Sequence, residues 1–225
     1  MFLPLFSVIL KLKGCIRMEV TKDLIDRVSA VARAAEKKER WEHSQRVAAT
    51  AELMCNMFGV DPAKGYLAGI AHDMCKDLGD EELLALAGRD QQPISVVERK
   101  KPSLLHGRAA AMKLMHDFGV DDMDIIQAVS RHTLGGASLC PLAKIVYVAD
   151  KIEPGRPQST QEYRDELFSK SLDALTLSVL EENMRYLESK GKKVADVSYR
   201  FHESLRRDVA RAAQIAIELT GGGEG

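Results

Sequence analysis

A histidine is followed directly by an aspartate, at His72-Asp73, inside a stretch that is otherwise apolar and helical in its spacing. Burying two such polar groups costs free energy unless each of them finds a partner. An imidazole nitrogen and a carboxylate oxygen both coordinate divalent metal ions. Adjacent side chains on a helix point about 100° apart, so this pair shares an ion only at the helix surface. The remaining ligands must then come from other helices.

The chain offers such ligands at four further positions. Each lies in or beside an apolar helical pattern and not in a polar loop. They are His43, His106, His132 and Asp150. A single histidine on an apolar helix face is usually a core or surface residue without a ligand role. An ordered set of this size indicates instead a metal site that several helices assemble.

The composition is that of an ordinary globular protein. Of 225 residues, 45% are hydrophobic and 29% are charged, which is typical of a folded chain. Strand-forming residues are sparse outside one short run, so we predict an all-α fold. The formal net charge of −1 argues against a protein that binds duplex nucleic acid, because such a protein needs a large basic surplus. A local basic pocket for a phosphate ligand is compatible with this charge.

The cysteines indicate a reducing compartment. They stand at Cys15, Cys55, Cys75 and Cys140, and none of them forms a CxxC pair. This pattern predicts free thiols in a cytoplasmic protein and not a disulfide framework. It also argues against a structural zinc site, which usually employs cysteine ligands.

Apolar spacing and capping residues predict the helices. We expect them at residues 21–38, 39–58, from 61–62 through the His72-Asp73 pair, 81–87, 104–118, 122–132, 142–152, 163–189 and 196–220. Residues 88–103 contain two prolines and several charges, and we expect a surface loop there with at most a helical turn. This loop is either a lid or specificity element beside the site, or a solvated connector.

Residues 18–220 are expected to form a single domain, with 221–225 as a disordered glycine-rich tail. Residues 1–17 are interpreted as an N-terminal extension or a misassigned start. Their apolar run is shorter than the roughly 20 residues that a membrane span needs. Its positive charges follow the run, whereas a secretory signal places them before it. We therefore expect no association with a membrane.

The predicted ligands suit metal-assisted phosphate chemistry. Two histidines and two aspartates favour a divalent ion such as Fe(II), Mn(II) or Zn(II), and an ion with open positions activates water for hydrolysis. Cations for a phosphate substrate are also available. Lys76 follows the His-Asp pair by one turn, and Arg156 follows Asp150 across a Pro-Gly turn, so both can reach the same metal.

Five segments together carry a family resemblance. They are RWEHS at 40–44, HDMCK at 72–76, LLHG at 104–107, RHT at 131–133 and YVADKIEPGR at 147–156. Over roughly residues 20–195 the chain resembles the YqeK subfamily of the HD-domain metal-dependent phosphohydrolases. The resemblance implies an HD-domain helical bundle with the C-terminal helices packed on it. It also implies symmetrical hydrolysis of diadenosine tetraphosphate to two ADP by metal-activated water, with Fe(II) as the principal candidate and Mn(II), Co(II) or Zn(II) as alternatives.

The resemblance also implies roles for individual residues. The implied metal ligands are His43, His72, Asp73 and Asp150. The implied contacts to the nucleotide are His43, Lys76, His106, His132, Thr133, Asp150 and Arg156. The implied catalytic residues are Asp73, Lys76, His106 and His132, and one of the two histidines is a candidate to protonate the leaving oxygen. The segment that closes over the nucleotide comprises Lys193, Val194, Ala195, Asp196, Val197 and Ser198.

Several alternatives stay open at this point. His106 and His132 either bind a second metal ion or contact phosphate, so the sequence is compatible with one ion or two. The substrate is alternatively a nucleoside monophosphate, a dNTP or an alarmone. A metal-dependent nucleotide sensor without turnover is the non-enzymatic alternative. A homodimer is compatible with the sequence, which does not fix the oligomeric state.

Overall fold

The computed structural model describes residues 18–221, with side chains to residue 219. Within that range the all-α prediction is confirmed, since the chain forms eleven α-helices and no strand. They are α1 (Lys22–Ala35), α2 (Lys38–Phe58), α3 (Pro62–Ala71), α4 (Asp80–Ala87), α5 (Val96–Lys100), α6 (His106–Phe118), α7 (Met123–Arg131), α8 (Pro141–Ile152), α9 (Gln161–Phe168), α10 (Leu172–Ser189) and α11 (Asp196–Gly221). The predictions for residues 1–17 and 222–225 lie outside the described residues, and Gly221 ends the last helix.

The turn between α2 and α3 is defined by local capping residues. Gly59 adopts the left-handed conformation with φ at 69°, and its N–H bonds the carbonyl of Cys55. The Asp61 side chain then accepts a hydrogen bond from the Ala63 N–H at 2.9 Å, and Pro62 occupies the first position of α3. Because these residues stop one helix and start the next, α2 and α3 fold back on each other.

Two helix predictions are wrong. Residues 163–189 do not form one helix, because the chain breaks between Phe168 and Leu172. Ser171 caps α10 by accepting from the Ala174 N–H at 3.4 Å, which is the local chemistry that starts a new helix. The third helix also ends earlier than expected, at Ala71, and the His72-Asp73 pair lies in the tight turns that follow.

Residues 88–103 are more regular than a loop with one turn. The segment contains a 3-10 helix at Gly88–Asp90, then α5, then a second 3-10 helix at Pro102–Leu105. This second turn leads directly into α6. The segment packs against α4 and α6, so it is attached along its length to the helices beside it.

Two glycines bring α3 unusually close to α2. A Cβ at Gly65 would lie 2.5 Å from the Cys55 Sγ, and a Cβ at Gly69 would lie 2.5 Å from the Ala48 Cα. Real side chains do not tolerate such distances, so only glycine fits at either position. The close packing fixes the position of the C-terminal end of α3 relative to α2. It therefore also fixes the position of His72, which follows that end.

Helix α8 is the centre of the core. It packs against α2, α3, α7 and α10, and residues 145–149 are fully buried. Its Tyr147 meets Phe201 of α11 edge to face, with ring centroids 5.3 Å apart. None of the helices in residues 18–221 combines the length and apolar composition that a membrane span requires.

Candidate active site

The predicted donors meet at one end of the helical core, although 107 positions separate the first from the last in sequence. Each stands at or near a helix end. His43 lies in the first turns of α2, the His72-Asp73 pair follows α3, His106 begins α6, His132 follows α7 and Asp150 lies in the last turn of α8. Since these helices pack on one another, their ends form a single polar centre inside an apolar surround.

Three of the histidines are oriented by the same kind of local hydrogen bond. The Nδ1 atoms of His72, His106 and His132 each lie 2.7 Å from a backbone carbonyl three residues earlier. A carbonyl only accepts hydrogen bonds, so each Nδ1 carries the proton. In its neutral form, a ring held in this way has its free lone pair on Nε2, which points toward the centre and is the atom that binds a metal ion.

His43 is oriented by a buried carboxylate. Its Nδ1 lies 3.0 Å from Glu153 Oε1, and its Nε2 lies 3.1 Å from Asp150 Oδ1. Glu153 also accepts from Arg46 and from the Gly155 N–H, each at 2.5 Å. The ring is thus held between two carboxylates, one behind it and one in the centre.

The remaining contacts form a row across the centre. At one end, Lys76 Nζ lies 2.9 Å from His106 Nε2. His106 Nε2 lies 3.0 Å from Asp73 Oδ1. Asp73 Oδ2 then lies 3.8 Å from His72 Nε2. The row therefore starts at a lysine and runs inward to the most buried imidazole of the site.

The other half of the row ends at an arginine. His72 Nε2 lies 3.8 Å from Asp150 Oδ1. Arg156 donates to this same oxygen from Nη2 at 2.7 Å, and its Nε donates to the Asp150 carbonyl at 2.8 Å. Arg156 therefore folds back over Asp150. One cation stands at each end of a row of metal-competent side chains.

Burial and charge set the protonation states in this row. Burial lowers the pKa of His72 to about 3, so the ring is neutral. Burial opposes the ionisation of Asp73 and Asp150, but the surrounding imidazoles and lysines hold both pKa values well below the usual range. Burial also lowers the pKa of His106. The centre therefore combines a neutral His72 with two ionised carboxylates.

This donor set fits a divalent metal ion. Two buried atoms, His72 Nε2 and Asp73 Oδ1, have no hydrogen-bond partner among residues 18–219. Donor atoms of His43, His72 and Asp150 lie within 4.8 Å of one another, as do those of His72, Asp73 and His132. Unpaired buried acceptors are costly, and a cation that accepts their lone pairs removes that cost. The two groups share His72.

A cavity of about 1500 Å³ opens onto the centre. Its lining includes seven lysine or arginine side chains and four aspartate or glutamate side chains. The cavity is therefore suited to an anionic ligand even before a metal ion adds its charge. The lining also includes Thr133, whose Oγ1 lies 3.2 Å from His106 Nε2 and 3.1 Å from His132 Nε2.

The predicted closing segment reaches the cavity in part. Lys193, Ala195 and Ser198 belong to the lining. Val194 is instead buried in the protein, and Asp196 starts α11. The hydroxyl of Ser198 donates to the Leu134 carbonyl at 2.8 Å, which joins the start of α11 to the loop that follows His132. Neither Asp196 nor Val197 is among the lining residues.

Three side chains around the donors were not assigned a role from the sequence. Arg40 donates to Asp73 Oδ2 at 3.3 Å and makes two bonds of 3.1 Å to Asp77. Lys151 donates to Asp150 Oδ2 at 3.2 Å and to the His132 carbonyl at 3.0 Å. The third is Glu153 behind His43. Arg40 precedes a ligand by one turn, and the other two follow Asp150 within three positions, so their spacing was a usable signal.

Comparison with known proteins places these features in context. Residues 40–155 match the HD domain family model. The symmetrical bis(5'-nucleosyl)-tetraphosphatase of Bacillus subtilis is 30% identical over 155 residues, which is 69% of this chain and 83% of the relative. The protein of the same name from Staphylococcus aureus is 29% identical over 170 residues, or 74% of this chain and 86% of the relative.

A solved structure shows the same fold. It is the crystal structure of a predicted HD superfamily hydrolase involved in NAD metabolism from Clostridium acetobutylicum. The TM-score is 0.75 at 24% identity, and the match covers 81% of this chain and 97% of that one.

Proposed function

This chain belongs to the HD domain family, and from that premise we infer that it is a metal-dependent hydrolase that splits diadenosine tetraphosphate symmetrically into two molecules of ADP. The curated relatives carry the name of this activity. The observation that supports it here is the row of donors with Lys76 at one end and Arg156 at the other. Such a row matches a polyphosphate whose scissile bond is central.

We propose His43, His72, Asp73 and Asp150 as the ligands of one divalent ion, with Fe(II) as the first candidate and Mn(II), Co(II) and Zn(II) as alternatives. When bound, the ion supplies Lewis acidity at a phosphoryl oxygen and activates water for attack. The neutral His72 and the ionised Asp73 are already in their ligating states near neutral pH. Metal binding therefore requires no proton release from these two side chains.

Lys76 and Arg156 bind the phosphates on either side of the reacting one. A guanidinium binds two phosphate oxygens in a fixed fork, whereas an ammonium acts as a mobile point charge. Both cations are partly exposed to the cavity, with side-chain exposures of 32% and 38%. They stabilise the negative charge that spreads over the phosphoryl oxygens in the transition state.

His106 and His132 handle protons at the reacting centre. The Nδ1–H of each ring is committed to a backbone carbonyl, so the neutral form of either ring has its free lone pair on Nε2. An unprotonated nitrogen first accepts a proton, in this case from the attacking water. The ring that accepts it then holds a proton that it donates to the leaving oxygen. Thr133 bridges the two rings and keeps them aligned.

Product analysis tests the reaction. The protein is purified without oxygen, loaded with Fe(II), Mn(II) or Co(II), and incubated with diadenosine tetraphosphate. Chromatography then separates ADP from ATP and AMP. We expect ADP alone. A mixture of ATP and AMP contradicts the central position of attack, and the absence of any product with all three metals contradicts the proposed substrate.

The variant Asp73→Ala tests the ligand assignment. Its carboxylate has one oxygen aimed at the donors and the other held by Arg40. We expect the variant to lose both bound metal and turnover. Metal content is measured by elemental analysis after gel filtration, and the helical circular dichroism signal serves as the folding control. A folded variant that keeps its metal and its full rate would show that Asp73 is not a metal ligand.

A further inference from the structure

The segment between α4 and α6 supplies no metal donor, yet it is firmly attached to the site. Its anchor is Arg108 of α6, a buried side chain two residues beyond His106. The guanidinium makes two hydrogen bonds of 2.7 Å to the carboxylate of Asp90 and one of 3.3 Å to Glu98. It also donates to the carbonyls of residues 92 and 93, at 2.9 and 3.3 Å. One arginine thus holds the whole stretch from Asp90 to Glu98 in place.

A second set of bonds fixes the short helix α5. The Ser95 hydroxyl accepts from the Glu98 N–H at 3.2 Å, and the Glu98 carboxylate accepts from the Ser95 N–H at 2.8 Å. This reciprocal cap defines the direction of the helix. As a result, Val97 lines the cavity together with Lys101 and Leu104. Val97 is 46% exposed, so its side chain is accessible to a ligand in the cavity.

We call Val97, Lys101 and Leu104 the α5 wall. The α5 wall joins the donor row at its lysine end, because the Ser103 carbonyl accepts from His106 Nδ1 at 2.7 Å. The other wall of the cavity is formed by α10 and the residues before α11, and it follows Arg156 in the chain. Since α10 packs on α8 whereas α5 adjoins the turn before α6, the two walls belong to different ends of the row.

A symmetrical substrate needs a binding surface at both ends of the donor row. Cleavage into equal halves places the scissile bond at the centre, so each half extends a nucleoside away from the donors in its own direction. The cavity of about 1500 Å³ exceeds the roughly 300–1,000 Å³ of an ordinary ligand pocket. An apolar side chain contacts the face of a base without regard to its hydrogen-bonding edge, and a lysine beside it binds a phosphate.

We propose that the α5 wall is the binding subsite for the second nucleoside of the substrate. Val97 and Leu104 contact the base, and Lys101 contacts a phosphate of the same half. The wall of α10 receives the first nucleoside. This inference rests on the proposed dinucleoside tetraphosphatase function, and it assigns to residues 97–104 the role of a substrate wall instead of a solvated connector.

The test compares two substrates that differ only in the second nucleoside. Diadenosine tetraphosphate and adenosine 5'-tetraphosphate carry the same four phosphates, and central cleavage releases ADP from both. The variant Val97→Ser removes the apolar contact and is matched by Val96→Ser, a neighbour that is 69% exposed and outside the cavity lining. The variant Lys101→Ala is matched in the same way by Lys100→Ala.

We expect Val97→Ser to lower kcat/KM for diadenosine tetraphosphate roughly 10-fold and to leave adenosine 5'-tetraphosphate unchanged. Lys101→Ala should lower kcat/KM for both substrates, because both carry the phosphates, and the two matched controls should match the wild type. If the wild type cleaves diadenosine tetraphosphate but Val97→Ser keeps its preference for it, the subsite is overturned while the proposed function stands. If the wild type releases no ADP from either substrate, both inferences are overturned.

Discussion

The buried carboxylate behind His43 gives the sharpest test of how the metal centre is tuned. Glu153 is 1% exposed. Burial opposes its ionisation, but hydrogen bonds from Arg46 and His43 outweigh burial and lower the pKa of Glu153. It is therefore ionised when it accepts the His43 Nδ1–H at 3.0 Å, which makes the opposite nitrogen a stronger ligand.

The variant Glu153→Gln keeps the size and one acceptor oxygen but removes the charge. Loss of such a partner typically weakens metal affinity about 10- to 100-fold, equivalent to about 1.4–2.8 kcal/mol of binding free energy. The measurement is a titration of the metal-free protein with Mn(II) against a competing chelator. Unfolding in urea is recorded in parallel, because Arg46 also loses its charged partner.

The matched control is Arg46→Gln. This change removes the other main partner of Glu153 and leaves the contact between Glu153 and His43 in place. We expect it to lower the free energy of unfolding while the metal affinity stays close to that of the wild type. If Glu153→Gln binds Mn(II) as tightly as the wild type and loses only stability, the carboxylate is a structural residue and the reasoning fails.

Three further predictions concern stability and pH. Burial raises the pKa of Glu36 from 4.5 to about 7, so the unfolded chain ionises from pH 4.5 upward while the folded chain keeps the proton. The free energy of unfolding of the wild type therefore falls across that window. In urea unfolding, Glu36→Gln should be more stable than the wild type by up to about 3 kcal/mol above pH 7. Below pH 4.5 the two proteins should be equally stable. An equal gain in stability at both pH values contradicts this explanation. The variant Gly69→Ala places a Cβ 2.5 Å from the Ala48 backbone. It should lower the free energy of unfolding by about 1–3 kcal/mol or more. It should also weaken metal binding because Gly69 carries the carbonyl that orients His72, whereas Gly79→Ala, with open space at its Cβ, should change neither property. Finally, burial lowers the pKa of His43, but its bonds to Asp150 and Glu153 outweigh burial and raise it. As the pH is lowered, metal affinity measured by titration should therefore begin to weaken above pH 6.5, the ordinary pKa of histidine, and a flat profile contradicts a ligand role for His43.

The sequence was most informative where one local rule decided the outcome. Apolar spacing and caps such as Gly59 and Asp61 predicted most helices, and the ordered histidines and aspartates predicted a centre whose donors do meet. The break before α10 was missed because apolar residues continue at helical spacing on both sides of Ser171. The end of α3 at Ala71 was missed because the turns beyond it still bury Met74 at helical spacing, although their backbone hydrogen bonds run from Met74 to Ala71 at 3.2 Å and from Lys76 to Asp73 at 2.8 Å.

The parts of the site that sequence reasoning missed depend on contacts between distant segments. From the sequence alone, Glu153 is interpreted as an exposed residue at a helix end. In the structure, the packing of α2 places His43 against it. Arg108 reads as one of many charged residues on a helix until residues 90–98 fold over it. The extents of the two cavity walls follow from packing alone, since no local pattern indicates which face of α5 or α10 meets the donors.

The short hydrogen bonds that orient three histidines also have a consequence for how the protein assembles. Each links an imidazole to a carbonyl only three residues away, so it lies within one turn of chain and needs no contact between distant helices. The choice of which ring nitrogen carries the proton is thus made by local chain geometry. Docking of the helices brings together rings whose orientation does not depend on that docking. A metal ion that arrives then selects among helix arrangements and not among proton positions.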